Sequence, residues 1–201
     1  MGRLTSPEEA PPDGKTPLTD QSGLLARVRT QDELNVLEFS HVSQVTTKYL
    51  IRRPSKKKAP FTYEWFLKVH REMFGKVWTW AGEVRKSDKN IGIDKLKIRD
   101  TLKMLEKDFH CWIASSMNPD EVSARLHHRL VWIHPVENGN GRWARLIANI
   151  YLRQNGLPLV EWPDQVLLTQ TDLRKKYLDA LHQADQHNLQ PLMKLQRGLQ
   201  R

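Results

Sequence analysis

The chain has 201 residues, 39% hydrophobic and 27% charged, enough for one domain with a proper core or at most two small ones. No uninterrupted apolar run reaches the ~18 residues a membrane helix needs, no secretory signal is expected, and a single cysteine, Cys111, excludes a disulfide framework or a cysteine zinc cluster and points to a reducing cytoplasm. The net charge is +9. Within residues 1–22, Arg3 and Lys15 stand against Glu8, Glu9, Asp13 and Asp20, so the remainder carries +11 and favours an anionic partner: nucleic acid, a nucleotide or an acidic surface.

Residues 1–22, with Pro7, Pro11, Pro12, Gly14 and Pro17 and little to bury, read as a flexible N-terminal tail. Met1-Gly2 through Ser6 fits the loose myristoylation pattern. Residues 23–201 read as a single helical domain. Thr30 and Glu33 form a capping box ahead of Leu34, Leu37, Val42 and Val45, which keep near one helix face. A charged connector with Arg52, Arg53 and Lys56–Lys58 ends at Pro60. A second helix starts near Thr62, carries Trp65, Phe66, Val69 and Met73 at helical spacing, and stops at Gly75. Over residues 77–94 the helical rhythm breaks. Gly82 and Gly92 bracket a polar stretch with partial alternation, which predicts a short β-hairpin or an extended loop.

Helix returns from Ile98 to Ser115, with Leu102, Leu105, Phe109 and Trp112 inward. Asn118-Pro119 is a cap followed by proline at the first helical position, and that helix carries Val122, Leu126, Leu130 and Ile133 up to His134. Trp143, Leu146, Ile147, Ile150 and Tyr151 mark another helix, closed by Asn155-Gly156. A short extended piece (157–162) and two helices, near 171–187 and 189–199, complete the chain. There is no internal repeat, and the expected architecture is all-α with a small β excursion near residue 85.

Residues 134–145 read His-Pro-Val-Glu-Asn-Gly-Asn-Gly-Arg-Trp-Ala-Arg. A helix ends in a histidine, a tight loop follows, and a new helix opens with two arginines three apart. The first turn of a helix presents free N–H groups and a partial positive charge that attract phosphate. Gly139 and Gly141 let an anion approach those amides, and Arg142 and Arg145 share a helical face from which both can reach it. His134 is placed to take a proton from an incoming hydroxyl. A Walker-type loop is disfavoured, because no Lys-Ser/Thr follows the glycines; so is zinc, because His127 and His128 point to different sides of their helix.

At these residues the sequence resembles the Fic (filamentation induced by cAMP) family, whose motif is H-x-F-x-D/E-G-N-G-R-x-x-R. His134, Gly139, Asn140, Gly141, Arg142 and Arg145 match in register. Over a wider stretch it resembles the Fic subgroup called mobile mystery protein B, through RTQDELNVLE, FLKVHREMFGKVWTWAGEVRKSDKNIGID and HPVENGNGR. The resemblance implies an all-α Fic-fold bundle with a small β-hairpin flap. It implies a nucleotidyltransferase of the protein adenylyltransferase type, moving AMP from ATP to a Ser, Thr or Tyr hydroxyl. His134 would be the general base; the amides of Gly139, Asn140 and Gly141 would hold the α-phosphate; Arg142 would take the β/γ-phosphates and Arg145 the γ-phosphate.

The 84–94 flap, with Asn90, Ile91 and Gly92 near its middle, would dock an extended target segment by strand addition. The family's acidic Mg²⁺ ligand falls on Asn138, whose neutral amide supplies no charge, and the motif phenylalanine is Val136. The family's inhibitory motif, S/T-x-x-x-E-G/N, has no full match: Thr5 to Glu9 has the spacing, but Ala10 follows. The same resemblance implies a toxin-like bacterial member of a mobile-element pair, with restraint coming from a separate antitoxin-like regulator or absent. Two alternatives stay open: a Fic enzyme with another nucleotide or a phosphocholine donor, and a catalytically weak nucleotide-binding pseudoenzyme. Nucleic-acid binding, suggested by the charge and Lys56–Lys58, lacks a recognition-helix motif.

Overall fold

The computed structural model describes residues 22–25, 27–163, 167 and 171–201. The expected tail, apart from Ser22, lies outside them, as do the myristoylation pattern and the Thr5–Glu9 spacing. Seven α-helices are found among the described residues: α1 (Gln31–Leu50), α2 (Tyr63–Phe74), α3 (Ile98–Ala114), α4 (Pro119–Ile133), α5 (Asn140–Gln154), α6 (Asp172–Asp185) and α7 (Gln190–Gly198). A one-turn 3₁₀ segment, Lys95–Lys97, leads into α3.

Their starts follow the local chemistry. Thr30 Oγ1 accepts from the Glu33 N–H at 3.2 Å, while the Glu33 carboxylate reaches one residue further out, to the Arg29 N–H at 2.6 Å. Thr62 caps α2 through the Trp65 N–H, and Asn118 caps α4 through the Asp120 N–H with Pro119 at its first turn.

α5 is the centre of the bundle. Trp143 to Leu152 are all buried, so this helix is enclosed on every side rather than along one stripe. α4 packs along it; α1 and α2 approach from another side, and α6 and α7 cover α4. The main core joins Leu34, Val45 and Tyr49 of α1 to Trp65, Phe66, Val69 and Met73 of α2, to Leu102, Leu105 and Phe109 of α3 and to the α4–α5 pair. A smaller core, with Ala124, Tyr177, Ala180, Leu181, Leu192 and Met193, seats α6 and α7. The extended piece is anchored twice. Asn149 of α5 donates to the Val160 carbonyl at 2.9 Å and accepts the Val160 N–H at 3.0 Å, and Val160 forms an isolated antiparallel bridge with Gln200.

The predicted β-hairpin is not there. Residues 84–94 form a bent loop, and no strand or sheet occurs among the described residues, only the isolated bridges Leu24–Trp78 and Val160–Gln200. The reason lies in Arg85, which is 3% exposed. Its guanidinium enters the space where a partner strand would lie, donating from Nε to the His134 carbonyl at 2.7 Å, from Nη1 to the Ser87 carbonyl at 2.7 Å and from Nη2 to the Ile93 carbonyl. The main chain of the loop pairs outward, Arg85 N–H with Pro135 O at 2.9 Å and Ile93 N–H with Ile133 O at 3.4 Å. A side chain thus does what a ladder would have done, and the polar run Lys86–Asn90 has little tendency to form one. The bracketing glycines have left-handed φ for reasons of close approach rather than turn type: a Cβ on Gly82 would lie 2.8 Å from the Leu67 carbonyl, and one on Gly92 2.5 Å from His134 Cβ.

Candidate active site

α4 ends at His134, which takes the left-handed conformation (φ 50°, ψ 58°) and so turns the chain sharply out of the helix. The loop that follows is held from inside. Val136 is fully buried where the motif has phenylalanine. Asn140, 2% exposed, closes the loop with both ends of its amide, accepting the Val136 N–H at 3.1 Å and donating to the Val136 carbonyl at 2.9 Å. Its side chain is therefore spent on loop shape, leaving only its backbone N–H to face an anion. His70 of α2 supports the loop from below: Nδ1 accepts the Gly82 N–H at 2.9 Å, which fixes the tautomer, and Nε2–H donates to the Asn138 carbonyl at 3.0 Å. Full burial pushes His70 down to about 3, outweighing its bond to Asn138.

Gly139 is the N-cap of α5 at φ 79°, and a Cβ there would press into the Phe74 ring at 2.7 Å. No side chain caps this helix, unlike α1, α2 and α4, so its first-turn N–H groups stay available at the positive end of the helix dipole. The two arginines flank that turn. Arg142 lies over the Phe74 ring, 4.8 Å from its centroid, and Nη2 donates to Glu38 Oε2 at 2.8 Å; the two side chains are 10% and 2% exposed. Glu38 also accepts from Trp78 Nε1 at 2.7 Å. Arg145, 7% exposed, packs against Trp162 and Tyr177, with its Nη1 only 3.3 Å from where a Gly141 Cβ would sit.

His134 is half-buried, and its Nδ1 is buried without a well-formed hydrogen bond, although the Val131 carbonyl lies close enough to favour the protonated ring. Burial first, then the charges of Arg85 and Lys89, hold the imidazole down to about 4, so the ring is neutral at pH 7. Asn90, Ile91 and Gly92 are exposed, with Gly92 packed directly on His134.

Asn138, the expected cation ligand, is engaged within its own loop. Its Oδ1 accepts the Gly139 N–H at 2.5 Å, and the neighbouring Glu137 carboxylate is held by Lys89 Nζ at 2.5 Å and by Ser87. Among the described residues no three His, Cys, Asp or Glu side chains gather as a ligand set. These residues form no preformed Mg²⁺ cage; Asn138 Oδ1 and the Glu137 carboxylate would have to share or leave these partners to meet an ion brought in on phosphate.

Glu38, His70 and Arg85 were not singled out from the sequence. Glu38 and His70 each interrupt an otherwise apolar helix stripe, Leu34–Glu38–Val45–Tyr49 and Phe66–Val69–His70–Met73, and a polar residue in such a stripe is the available signal. Arg85 lies in a polar loop and carries none.

Comparison with known proteins agrees with this geometry. Residues 60–152 match the Fic/DOC family. The chain is 30% identical over 152 residues to a protein adenylyltransferase Fic of Aedes aegypti, covering 73% of this chain and 29% of that protein, and 32% identical over 142 residues to its counterpart in Drosophila ananassae, covering 68% and 27%. It therefore spans less than a third of these relatives' length. Among solved structures, BepC of Bartonella tribocorum with bound AMPPNP superposes with a TM-score of 0.67 at 18% identity, covering 92% of this chain and 98% of that one. Fic-1 of C. elegans gives 0.65 at 24% identity, covering 89% and 52%. At such identities the superpositions speak for the fold, and the sequence match for the domain. No helix among the described residues is long and apolar enough to cross a membrane. With its uncapped helix start, arginine pair and histidine-ended helix, the chain is a Fic/DOC domain protein, related to the known proteins of the Fic fold.

Proposed function

We propose that the protein is a nucleotidyltransferase that moves AMP from ATP to a Ser, Thr or Tyr hydroxyl of a target protein. The observation that carries this reading is the loop from His134 to Gly139, which sets a neutral imidazole at one end and an uncapped helix N-terminus at the other. The relatives named protein adenylyltransferase support it. The triphosphate lies across the first turn of α5, its α-phosphate on the amides of Asn140 and Gly141, and on that of Gly139 once Asn138 Oδ1 releases it, its outer phosphates on Arg142 and Arg145. The target hydroxyl oxygen attacks the α-phosphorus. Its proton passes to His134, the bond from the α-phosphorus to the bridging oxygen breaks, and pyrophosphate leaves with that electron pair. The nucleotide's negative charge raises the basicity of His134 at the moment it is needed. The target segment docks on the exposed Asn90–Gly92 stretch beside His134. The long sequence resemblance to mobile mystery protein B supports a toxin-like role with a separate regulator as part of the same reading.

The test is incubation with α-labelled ATP and cell lysate, with and without added Mg²⁺. Label on protein that falls by ~10²–10⁴-fold in His134→Ala is expected. No label with any variant removes the enzyme reading. A second reading, a nucleotide-binding protein with little turnover, is favoured by one specific pair of contacts: Glu38 occupies Arg142, and the Asn138 amide oxygen is engaged by Gly139. Calorimetry showing ATP binding without transfer would select it. Comparing ATP with other nucleotides and a phosphocholine carrier as labelled donors identifies the donor.

A further inference from the structure

Arg145 of α5 meets elements that lie outside the family-matched segment, residues 60–152. Its guanidinium carbon is 5.8 Å from the Trp162 ring centroid and 5.8 Å from that of Tyr177, and the two rings meet edge to face at 5.5 Å. A nearly buried guanidinium bounded by two aromatic faces is held by ring electrons as well as by hydrogen bonds. Both rings are themselves fixed. Trp162 follows Val160, which Asn149 grips at both backbone atoms. Tyr177 of α6 is stacked on His127 of α4, and its hydroxyl lies 3.0 Å from His127 Nε2. Gln196 of α7 donates from Nε2 to His127 Nδ1 at 3.1 Å, so His127 carries its proton on Nε2 and donates to Tyr177. A chain of contacts thus runs from α7 through α4 and α6 to Arg145.

Trp162 shows which property of the ring is used. Among the described residues no acceptor meets its buried Nε1–H, a cost that a phenylalanine filling the same space would not carry. What the indole adds is the larger and stronger π face, the best of the aromatic partners for a cation.

We propose that Trp162 and Tyr177 are positioning residues for Arg145. The C-terminal helices act as a bracket that aims the second arginine at the triphosphate, with its Nη1 beside Gly141. The assignment rests on Arg145 meeting the nucleotide in the proposed reaction, so the test has one arm that does not depend on it. In the full chain, the Arg145 side-chain Nε–H resonance is identified by its loss in Arg145→Lys and followed in Trp162→Leu and Trp162→Phe. A ring-shifted signal that moves to the bulk arginine position in the leucine variant and stays displaced in the phenylalanine variant is expected. An unmoved signal in Trp162→Leu overturns the proposal.

The second arm measures ATP affinity. Trp162→Leu is expected to weaken it about tenfold, Trp162→Phe no more than about threefold, and Trp162→Leu placed on Arg145→Ala to add nothing further. Equal weakening with and without Arg145 overturns the proposal, because a merely structural ring would act in both backgrounds. If Arg145→Ala leaves ATP affinity untouched, the phosphate role of Arg145 falls, while the resonance still decides the bracket. Should the leucine variant fail to fold, Trp162→Met, also lacking a π face, takes its place in both arms.

Discussion

Two loops meet at His134, and they hold their shape by opposite means. The loop between α4 and α5 is built from inside: Val136 is buried, and Asn140 and His70 satisfy its backbone with short bonds from residues at or beneath it. The 84–94 loop is polar and exposed along most of its length; its buried fastening is Arg85, which ties its two ends to each other and to the His134 carbonyl, while Ser87 and Lys89 on Glu137 and Asp88 on Lys95 hold its exposed rim. The first is held by several buried bonds, the second by one buried group and a rim of exposed ones. A loop of the first kind loses shape gradually as contacts are removed; the second depends most on one buried point.

Removing that point is expected to give the largest effect. Arg85→Ala leaves the carbonyls of His134 and Ile93 without their donor and should lower stability by about 3 kcal/mol in urea denaturation, with faster amide exchange over 84–94. Lys86→Ala, at a side chain 90% exposed one residue away, should change stability by less than ~0.5 kcal/mol. Comparable losses in the two variants would break the contrast.

Acid probes the other loop. His70, held at about 3 beneath it, is protonated in the unfolded chain below the ordinary 6.5 but stays neutral when folded. The unfolded state therefore binds the extra proton, and stability falls as pH drops from 6.5 towards 3, by about 2 kcal/mol at pH 5 from this residue alone. His127, held well below its usual range by burial and by Arg145, adds in the same direction. Denaturation midpoints that stay flat between pH 7 and 5 would contradict this picture of the loop's support.

The third effect is smaller and has two signs. Glu38→Gln keeps the shape that receives Trp78 but removes the charge that holds Arg142. Leaving the arginine without its buried partner should cost stability, while ATP affinity should rise about tenfold because Arg142 no longer has to leave a carboxylate to meet phosphate. Weaker ATP binding in that variant would mean that the glutamate serves the nucleotide site instead of competing with it.

The sequence was most readable where local chemistry decides structure. Thr30, Thr62 and Asn118-Pro119 announce helix starts because their side chains bond within three residues of themselves, and the His134–Arg145 segment announces itself because its parts are adjacent. The hairpin expectation failed because alternation and bracketing glycines describe only the chain itself. They cannot reveal an arginine that folds back into the space a second strand would need. Glu38 escaped for a related reason: its partner lies 104 residues away, and only the packing of α1 against α5 brings the two together. The side-chain role of Asn140 was equally hidden: the sequence offers its backbone N–H to an anion, but only the folded loop shows its side-chain amide closing on Val136 four residues back.

The left-handed turn at His134 has a cost of its own. A glycine would take that conformation without crowding, whereas a side chain with a β-carbon is strained there by about 1 kcal/mol. His134→Gly should therefore recover part of that strain while silencing the proposed transfer, a variant sturdier in some respects than its parent yet inert. In the proposed reaction, helix closure at this position is set for reactivity rather than for durability, and the scaffold around it carries the difference.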